Sequence, residues 1–569
     1  MQKQEISATM LPTIPPCTEK LRRRAAAVLA IMYLSAYLLP LGVRPLIRPD
    51  EFRYAEIPRE MIASGNWWSP RFVGFRYYEK PVLGYQLTAL SIRCFGENAF
   101  AVRLPSALAA GATALLLWQL LSAMAAGWLA PLGTAIFLGF GIVYGIGTFA
   151  VLDFPLCAAV TASWCAFFFA WRSERAPARL GWLAAAGAAA GLGFLQKGFV
   201  AFALPALAAG AFLIWRKEWK NLLLLPWIPL AAALAVALPG AWMLHRGEPD
   251  FWRYFIVVEH FDRFTSSTGD RHPQPFWYFL PVLAGGMLPS GFLAAAAWCG
   301  WRGTLFRRPG AQYLLCAFAL PFLFFSASSC KLGTYILPCF APLAGLIAWG
   351  ILEGAAERPL RVEAILDRLF LWFGRFCVAA GGILALACPV STRFFRDLAF
   401  LPWAQGAALA LCFWGALLVR SRRRPLPLRS ALFLLGVFPV LWFVPGAVPA
   451  KLWRDRASTA FREFVIAPGD LVLVDRTAAG MCAWQLRRAD LVLVGKSGEF
   501  TYGVKNDPAS SERYLADEKE IPRLLAERAP AGCVYLVVRD LRRRPLPPGV
   551  AALVPRSRNA FGITCMRLK

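Results

Sequence analysis

An α-helical polytopic membrane protein of about thirteen spans, with interfacial helices in its first outer loop and a small outward-facing α/β domain at its C-terminal end, is the fold this sequence predicts. Three observations carry that reading. The 569 residues are 58% hydrophobic and only 17% charged, and runs such as LPWIPLAAALAVALPGAWM are long enough to cross roughly 30 Å of hydrocarbon. The basic residues gather in loops that all fall on one side of those runs. After about residue 448 the pattern changes to short β-rich runs, LVLVD at 471–475, DLVLVG at 490–495 and CVYLVVRD at 533–540, separated by the helix-like stretch SSERYLADEKEIPRLLAERA. The chain therefore divides into a membrane domain, 1–447, and a C-terminal domain, 448–569.

Apolar stretches of span length lie near 24–43, 100–125, 128–146, 149–171, 179–196, 198–215, 221–243, 278–300, 310–327, 334–353, 369–390, 400–420 and 427–447. An odd number of crossings puts the termini on opposite sides. The basic loops (Lys20 to Arg24, RSERAPAR at 172–179, RKEWK at 216–220, WRGTLFRRP at 301–309 and RSRRRPLPLR at 420–429) all become cytoplasmic if the N-terminus is inside. The outward connections are then 44–99, 147–148, 197, 244–277, 328–333, 391–399 and everything after about 448. The first span has polar flanks and no small-residue cleavage pattern in the right place, so it reads as an uncleaved anchor.

The 14 cysteines form no framework: Cys157, Cys165, Cys316 and Cys412 sit inside apolar runs as small hydrophobes. Cys482, Cys533 and Cys565 in the tail permit at most one disulfide and identify none. The tail carries 21 Lys and Arg against 13 Asp and Glu, a balance that favours anionic surfaces such as phospholipid or phosphorylated glycolipid headgroups, although solvated faces without a partner explain it equally. No nucleic-acid partner is expected.

The unusual residues all fall on the outer side. RPDEFRYAEIPREM at 48–61 and GFRYYEKPVLGYQ at 74–86 concentrate Asp50, Glu51, Arg53, Glu56, Glu79 and Lys80 in one connection that needs only to be polar. Phe52, Ala55, Ile57, Met61 and Ile62 share roughly one helical face, so this segment predicts an amphipathic helix along the membrane surface, and 81–95 a second interfacial segment. Together they hold Asp50, Glu79 and Lys80 near the plane where a lipid-linked substrate presents its phosphate. Asp153 in FAVLDFPLC sits inside an apolar run, where a charge costs about 2.5 to 3.5 kcal/mol on insertion scales unless it snorkels to the interface. Two carboxylates converging on one cavity suit glycosyl transfer.

Lys197 and Lys331 are single cations at outer span ends, positions where interfacial anchoring is the ordinary role. With Lys80, Arg53 and Arg271 they supply positive charge for a phosphate oxygen. Loop 244–277 carries all three histidines, His245, His260 and His272. A divalent metal held by Glu79 and His260 is one reading of it, and an aromatic, basic flap over the substrate is the other. No cofactor is otherwise required.

The first-loop acidic pair with YAEI and REM, the YYEKPVLGYQ segment, and KLGTYILP at the tenth span together resemble the bacterial aminoarabinose transferases of lipid A, within the wider GT-C class that includes protein mannosyltransferases. The resemblance covers roughly 20–450. It departs at Val82, where a second proline is expected after EKP, and at Gly333, where KLPTYILP is usual. It implies a GT-C-like fold in the bacterial inner membrane, and transfer of 4-amino-4-deoxy-L-arabinose from undecaprenyl phosphate to lipid A phosphates with inversion, at a site facing the periplasm. Asp50 then matches the family's first-loop carboxylate. Asp50, Asp153 and Lys80 are the catalytic candidates, and Glu51, Arg53, Tyr54, Tyr78, Glu79, Lys197, Arg271, Lys331 and Tyr335 the substrate-binding ones. Two alternatives stand beside this reading: a GT-C transferase that uses a polyprenyl-phosphate hexose to glycosylate a protein or another glycan, and a secondary transporter. Transporters show internal repeats and binding residues near the midplane, and this sequence shows neither.

Overall fold

The computed structural model describes residues 17–261, 273–395, 398–449, 464–507, 510, 512–528, 532–539, 546–553, 556–560 and 563–568. Among them, ten helices have the length and apolarity of membrane spans. Three shorter apolar helices, Leu129–Leu138, Val200–Trp215 and Phe276–Gly286, occupy the remaining expected segments. The protein is thus a multi-pass membrane protein, and Leu and Ile side chains such as Ile31, Leu115, Leu223 and Leu386 stand exposed on the outside of the bundle where lipid replaces water.

Two expected spans are not continuous. The segment 128–146 breaks between Leu129–Leu138 and Gly141–Gly147, and 278–300 breaks between Phe279–Gly286 and Ala294–Trp301. The breaks meet: Phe140 and Pro289 form an isolated antiparallel bridge, and the Gly141 amide donates to the Leu288 carbonyl at 2.7 Å. Each break frees backbone groups that hydrocarbon cannot satisfy, and pairing two breaks satisfies them. A Cβ on Gly139 would collide with the Ser290 hydroxyl, so glycine permits the approach. No charged residue lies in either break, which separates them from the ion-binding broken helices of transporters.

The first outer loop folds as a helix, Asp50–Ser64, then a hairpin of β1 (Arg71–Phe72) and β2 (Phe75–Arg76), then a helix, Leu83–Phe95. The first helix ends at Gly65, whose left-handed φ of +69° suits glycine as a stop. It does not lie on the membrane surface with a wet polar face. Phe52, Ala55, Ile57 and Met61 are buried as expected, in a core shared with the C-terminal domain, but so are the charged residues: Glu51 meets Arg44 and Arg103, Glu56 meets Arg59, and Glu60 accepts from the Gly74 amide.

That domain is a six-stranded sheet in the order β5-β4-β3-β6-β8-β7. Strands β3 (Leu471–Asp475), β4 (Val492–Val494), β5 (Tyr514–Leu515) and β6 (Val534–Arg539) run parallel; β8 (Ile563–Arg567) pairs antiparallel with β6 and with β7 (Arg556–Ala560). The stretch expected to be one helix after residue 510 instead supplies β5, a 3₁₀ turn at Glu518–Glu520 and the helix Ile521–Arg528. Successive side chains of a strand face opposite ways. Leu473, Leu536 and Val538 therefore pack outward with Ile521, Leu524 and Val550. Val472, Val474, Tyr535 and Val537 face inward and join Phe52, Phe72, Phe75, Tyr78, Leu244 and Phe251 in one apolar core. The loops at 44–99 and 244–261 and the C-terminal domain are thus one packed body over one end of the bundle.

Candidate active site

Asp50 opens the first-loop helix, where the exposed amide ends favour a carboxylate. Its side chain is 47% exposed, and Oδ1 accepts a hydrogen bond from Arg53 Nη1 at 3.2 Å. Arg53 turns its other arm to Glu499 of the C-terminal domain. Burial pushes the Glu499 carboxyl up; Arg53 opposes this, and Glu79 and Asp50 add to it, leaving the group at about 7. Lys80, half-buried, donates to the Glu79 carbonyl at 2.7 Å.

The second carboxylate comes from the bundle. Asp153 begins the helix Asp153–Arg172, and Lys197 ends Ala176–Lys197. Their charged groups meet at 2.6 Å, each largely buried, and the Lys197 ammonium lies 5.0 Å above the Tyr335 ring. Tyr54 links this pair to the first loop. Burial raises its phenol above the ordinary range, Arg53 works against that, and the fields of Asp50, Asp153 and Glu79 all add, so three carboxylates lie within electrostatic reach of one hydroxyl. Tyr54 stacks on Tyr85, with ring centres 5.9 Å apart. Beside Tyr85, Gly84 has no room for a side chain: a Cβ would strike Leu152, the neighbour of Asp153, and Gln196, the neighbour of Lys197. Three elements bearing charged candidates are therefore pressed together at one glycine.

The structure thus brings Asp50, Arg53, Tyr54, Glu79 and Lys80 into one loop constellation and joins it to Asp153, Lys197 and Tyr335. Three other expected substrate contacts are corrected. Glu51 is fully buried: Oε1 accepts from Arg44, Arg103 and the Ala150 amide, and Oε2 from Arg44, Arg103 and the Ile47 amide, at 2.6 to 3.2 Å. Burial alone would raise its carboxyl, but Arg103 and Arg44 overcome this and hold it at about 2. A carboxylate has about four lone-pair sites, so none remains for a ligand. Tyr78 is buried too, with its hydroxyl on Glu248 and its ring 4.4 Å from that of Tyr502. Lys331 is 3% exposed and donates to the carbonyls of Gln274, at 2.9 Å, and Ser328. These three are buried and brace loops through the contacts just given.

Arg271 and the side chain of His260 lie outside the described residues. Among the described residues no group of three His, Cys, Asp or Glu side chains is arranged to hold a metal ion.

Two participants were missed from the sequence. Arg103, wholly buried near the outer end of its span, is the partner that fixes Glu51; an arginine inside an apolar run is itself a signal that a partner exists. Glu499 had a subtler one, since it follows the carboxyl end of β4, the edge where parallel sheets present functional loops.

Residues 24–255 match the family described as dolichyl-phosphate-mannose-protein mannosyltransferase, and residues 462–558 match the arabinosyl transferase ArnT C-terminal domain. The chain is 35% identical over 543 residues to the undecaprenyl phosphate-alpha-4-amino-4-deoxy-L-arabinose arabinosyl transferase of Yersinia pseudotuberculosis serotype O:3 (strain YPIII), covering 93% of this chain and 95% of that protein. It is 36% identical over 534 residues to the protein of the same name from Aeromonas salmonicida (strain A449), covering 92% and 96%. The crystal structure of ArnT from Cupriavidus metallidurans bound to undecaprenyl phosphate superposes with a TM-score of 0.78 at 23% identity, covering 97% of this chain and 98% of that one, which establishes the shared GT-C architecture. On this similarity along nearly its whole length, the chain belongs to the undecaprenyl phosphate-alpha-4-amino-4-deoxy-L-arabinose arabinosyl transferase family, glycosyltransferases that use a polyprenyl-phosphate sugar donor.

Proposed function

We propose that this protein transfers 4-amino-4-deoxy-L-arabinose from undecaprenyl phosphate to phosphate groups of lipid A, at the periplasmic face of the bacterial inner membrane. The observation that carries the reading is the constellation of Asp50, Glu79 and the Asp153–Lys197 pair around Tyr54 at the outer ends of the spans. Carboxylates there suit a sugar that carries an ammonium group, and Lys80, Arg53 and Lys197 suit its phosphate. The names of the relatives support the donor, and the match of the C-terminal domain to an arabinosyl transferase favours the aminosugar over a hexose.

In the reaction, a lipid A phosphate oxygen attacks the anomeric carbon from the face opposite the leaving group. The bond from that carbon to the undecaprenyl phosphate oxygen breaks, and the electron pair leaves with the phosphate. An acceptor phosphate is already anionic, so no strong base is needed. Asp50 and Asp153 orient the sugar through its ammonium and hydroxyls, while Lys80 stabilises the charge developing on the departing phosphate. Arg53, held between Asp50 and Glu499, orients the first of these carboxylates. We assign the electrophilic role to these cations, with no metal required; activity within about twofold of the untreated level after exhaustive EDTA treatment is expected, and a loss restored by a divalent ion would reverse the assignment. The product carries added positive charge on lipid A, which weakens attraction for cationic peptides such as polymyxin.

The deciding experiment is mass spectrometry of lipid A from cells lacking the endogenous activity. Expression of this protein should add the mass of one aminopentose, and Asp50→Asn should remove that gain by about 100-fold or more, the scale of losing a group acting at the transition state. Unmodified lipid A from cells with folded, membrane-inserted protein would redirect the assignment to a polyprenyl-phosphate hexose donor and a protein or glycan acceptor.

A further inference from the structure

At the opposite end of the bundle from the active site, a cavity of about 350 Å³ opens between the first, third, eighth, tenth, eleventh and thirteenth spans. Its wall is almost wholly apolar, built from residues such as Leu21, Trp128, Ala135, Val362 and Leu434, with Arg24 as its charged lining residue. Along the first span the lining runs from Leu21 to Leu29, and along the thirteenth from Leu426 to Leu435. At 1.5 Å per helical residue these are depths of about 12 to 14 Å. That is close to half of the roughly 30 Å hydrocarbon core, the thickness of one leaflet's acyl layer.

The mouth is basic. Arg358 lies between the lining residues Ala355 and Val362, and Arg423 and Arg424 immediately precede the thirteenth span whose Leu426 and Pro427 line the cavity. The nearby acids are already engaged: Glu19 with Arg23 at 3.1 Å, Glu353 with Arg308 at 2.9 Å, Asp367 with Arg429 at 2.7 Å, and Glu357 with the hydroxyl of Thr304 at 2.9 Å. Arg24, Arg358, Arg361, Arg423 and Arg424 are exposed and have no ion pair among the described residues. Among the described residues Glu357, whose partner is a neutral hydroxyl, and Glu363 are the two neighbouring acids without a cation, against five unpaired arginines, so positive charge prevails at the mouth.

We infer that this cavity is a binding site for one anionic phospholipid of the inner leaflet, with an acyl chain between the spans and the phosphate at Arg24 and Arg358. Basic pockets between membrane helices on the cytoplasmic side recognise anionic headgroups in this way. The bound chain wedges the first span against the third and thirteenth, and so completes packing that the protein's own side chains leave open. The inference does not rest on the proposed reaction, whose lipids bind at the other membrane face.

The test is native mass spectrometry of the full-length protein in mild detergent, with phosphatidylglycerol and phosphatidylcholine of matched chains as probes; each adduct is told from undecaprenyl phosphate by its mass. At least fivefold greater retention of phosphatidylglycerol is expected. Ala135→Phe, which fills the cavity, should lower that retention at least fivefold, as should Val28→Trp if the first variant does not fold. The double variant Arg24→Ala with Arg358→Ala should abolish the headgroup preference. Equal retention of the two lipids by the native protein, or unchanged retention in a folded cavity-filled variant, would overturn the inference.

Discussion

Glu51 and Asp50 are adjacent in sequence, yet replacing each should do opposite things. Glu51→Gln keeps the shape of the side chain but removes the only carboxylate between two buried guanidinium groups, Arg44 and Arg103, which it meets at 2.6 to 3.2 Å. Removing one partner of a buried ion cluster costs about 3–5 kcal/mol, because the remaining charge stays out of water. The two guanidinium groups give a second figure: they hold the carboxyl down from 4.5 to about 2, and at about 1.4 kcal/mol per pH unit this is about 3 kcal/mol. The group is depressed in the folded protein, so this stability is present above pH 4.5 and is lost as pH falls towards 2. At about 2 °C per kcal/mol for a large domain, Glu51→Gln should melt about 6 °C below the native protein near pH 7. Asp50→Asn, half-exposed and outside this cluster, should melt within about 1 °C of native while losing transfer. The assay is thermal unfolding in detergent of the three purified proteins, alongside lipid A analysis. A Glu51→Gln variant as stable as native would refute the argument that the cluster pins the first loop to the bundle.

Two further outcomes follow from the site. Lys197→Gln should reduce both activity and folded yield, because it strands buried Asp153; pairing it with Asp153→Asn should recover yield, measured by monodisperse protein, and leave activity lost. Glu499, held up at about 7, is protonated below that pH and ionised above it, so activity against pH should show an inflection near 7 that Glu499→Gln abolishes. By the same linkage, its contribution to stability is fully present below its ordinary 4.5 and declines as pH rises through 7.

Much of this was readable in advance because hydrophobic length and charge placement are local signals. The thirteen apolar stretches each coincide with apolar helix, and Asp50, Glu79 and Asp153 could be placed on one face from loop parity alone. Sequence could not show that two spans break and clasp at Phe140 and Pro289, since backbone pairing between segments about 150 residues apart leaves no periodic trace. Nor could it separate Glu51 from Asp50. Both are acids in one helical turn, and the distinction arises from Arg103, 52 residues away, and from the rotation of the helix beneath a covering domain. Packing on both faces is also why the amphipathic pattern misled: a helix with apolar residues on one face predicts water on the other, but here the apolar face packs with the C-terminal domain while Glu51 is met by Arg103 and Glu56 by Arg59, all buried.

The core shared by the outer loops and the sheet has a consequence for how this protein can be handled. Phe500 stacks on Phe72 at 4.8 Å, and Arg513 lies 4.5 Å above Phe75 while donating to the Val73 carbonyl. Severing the chain between the two parts would therefore not yield an independent water-soluble module and a trimmed membrane enzyme. It would bare matching greasy faces on both fragments. Reporter fusions belong at the chain ends, and a library that shuffles C-terminal domains among relatives should exchange residues 44–99 along with them.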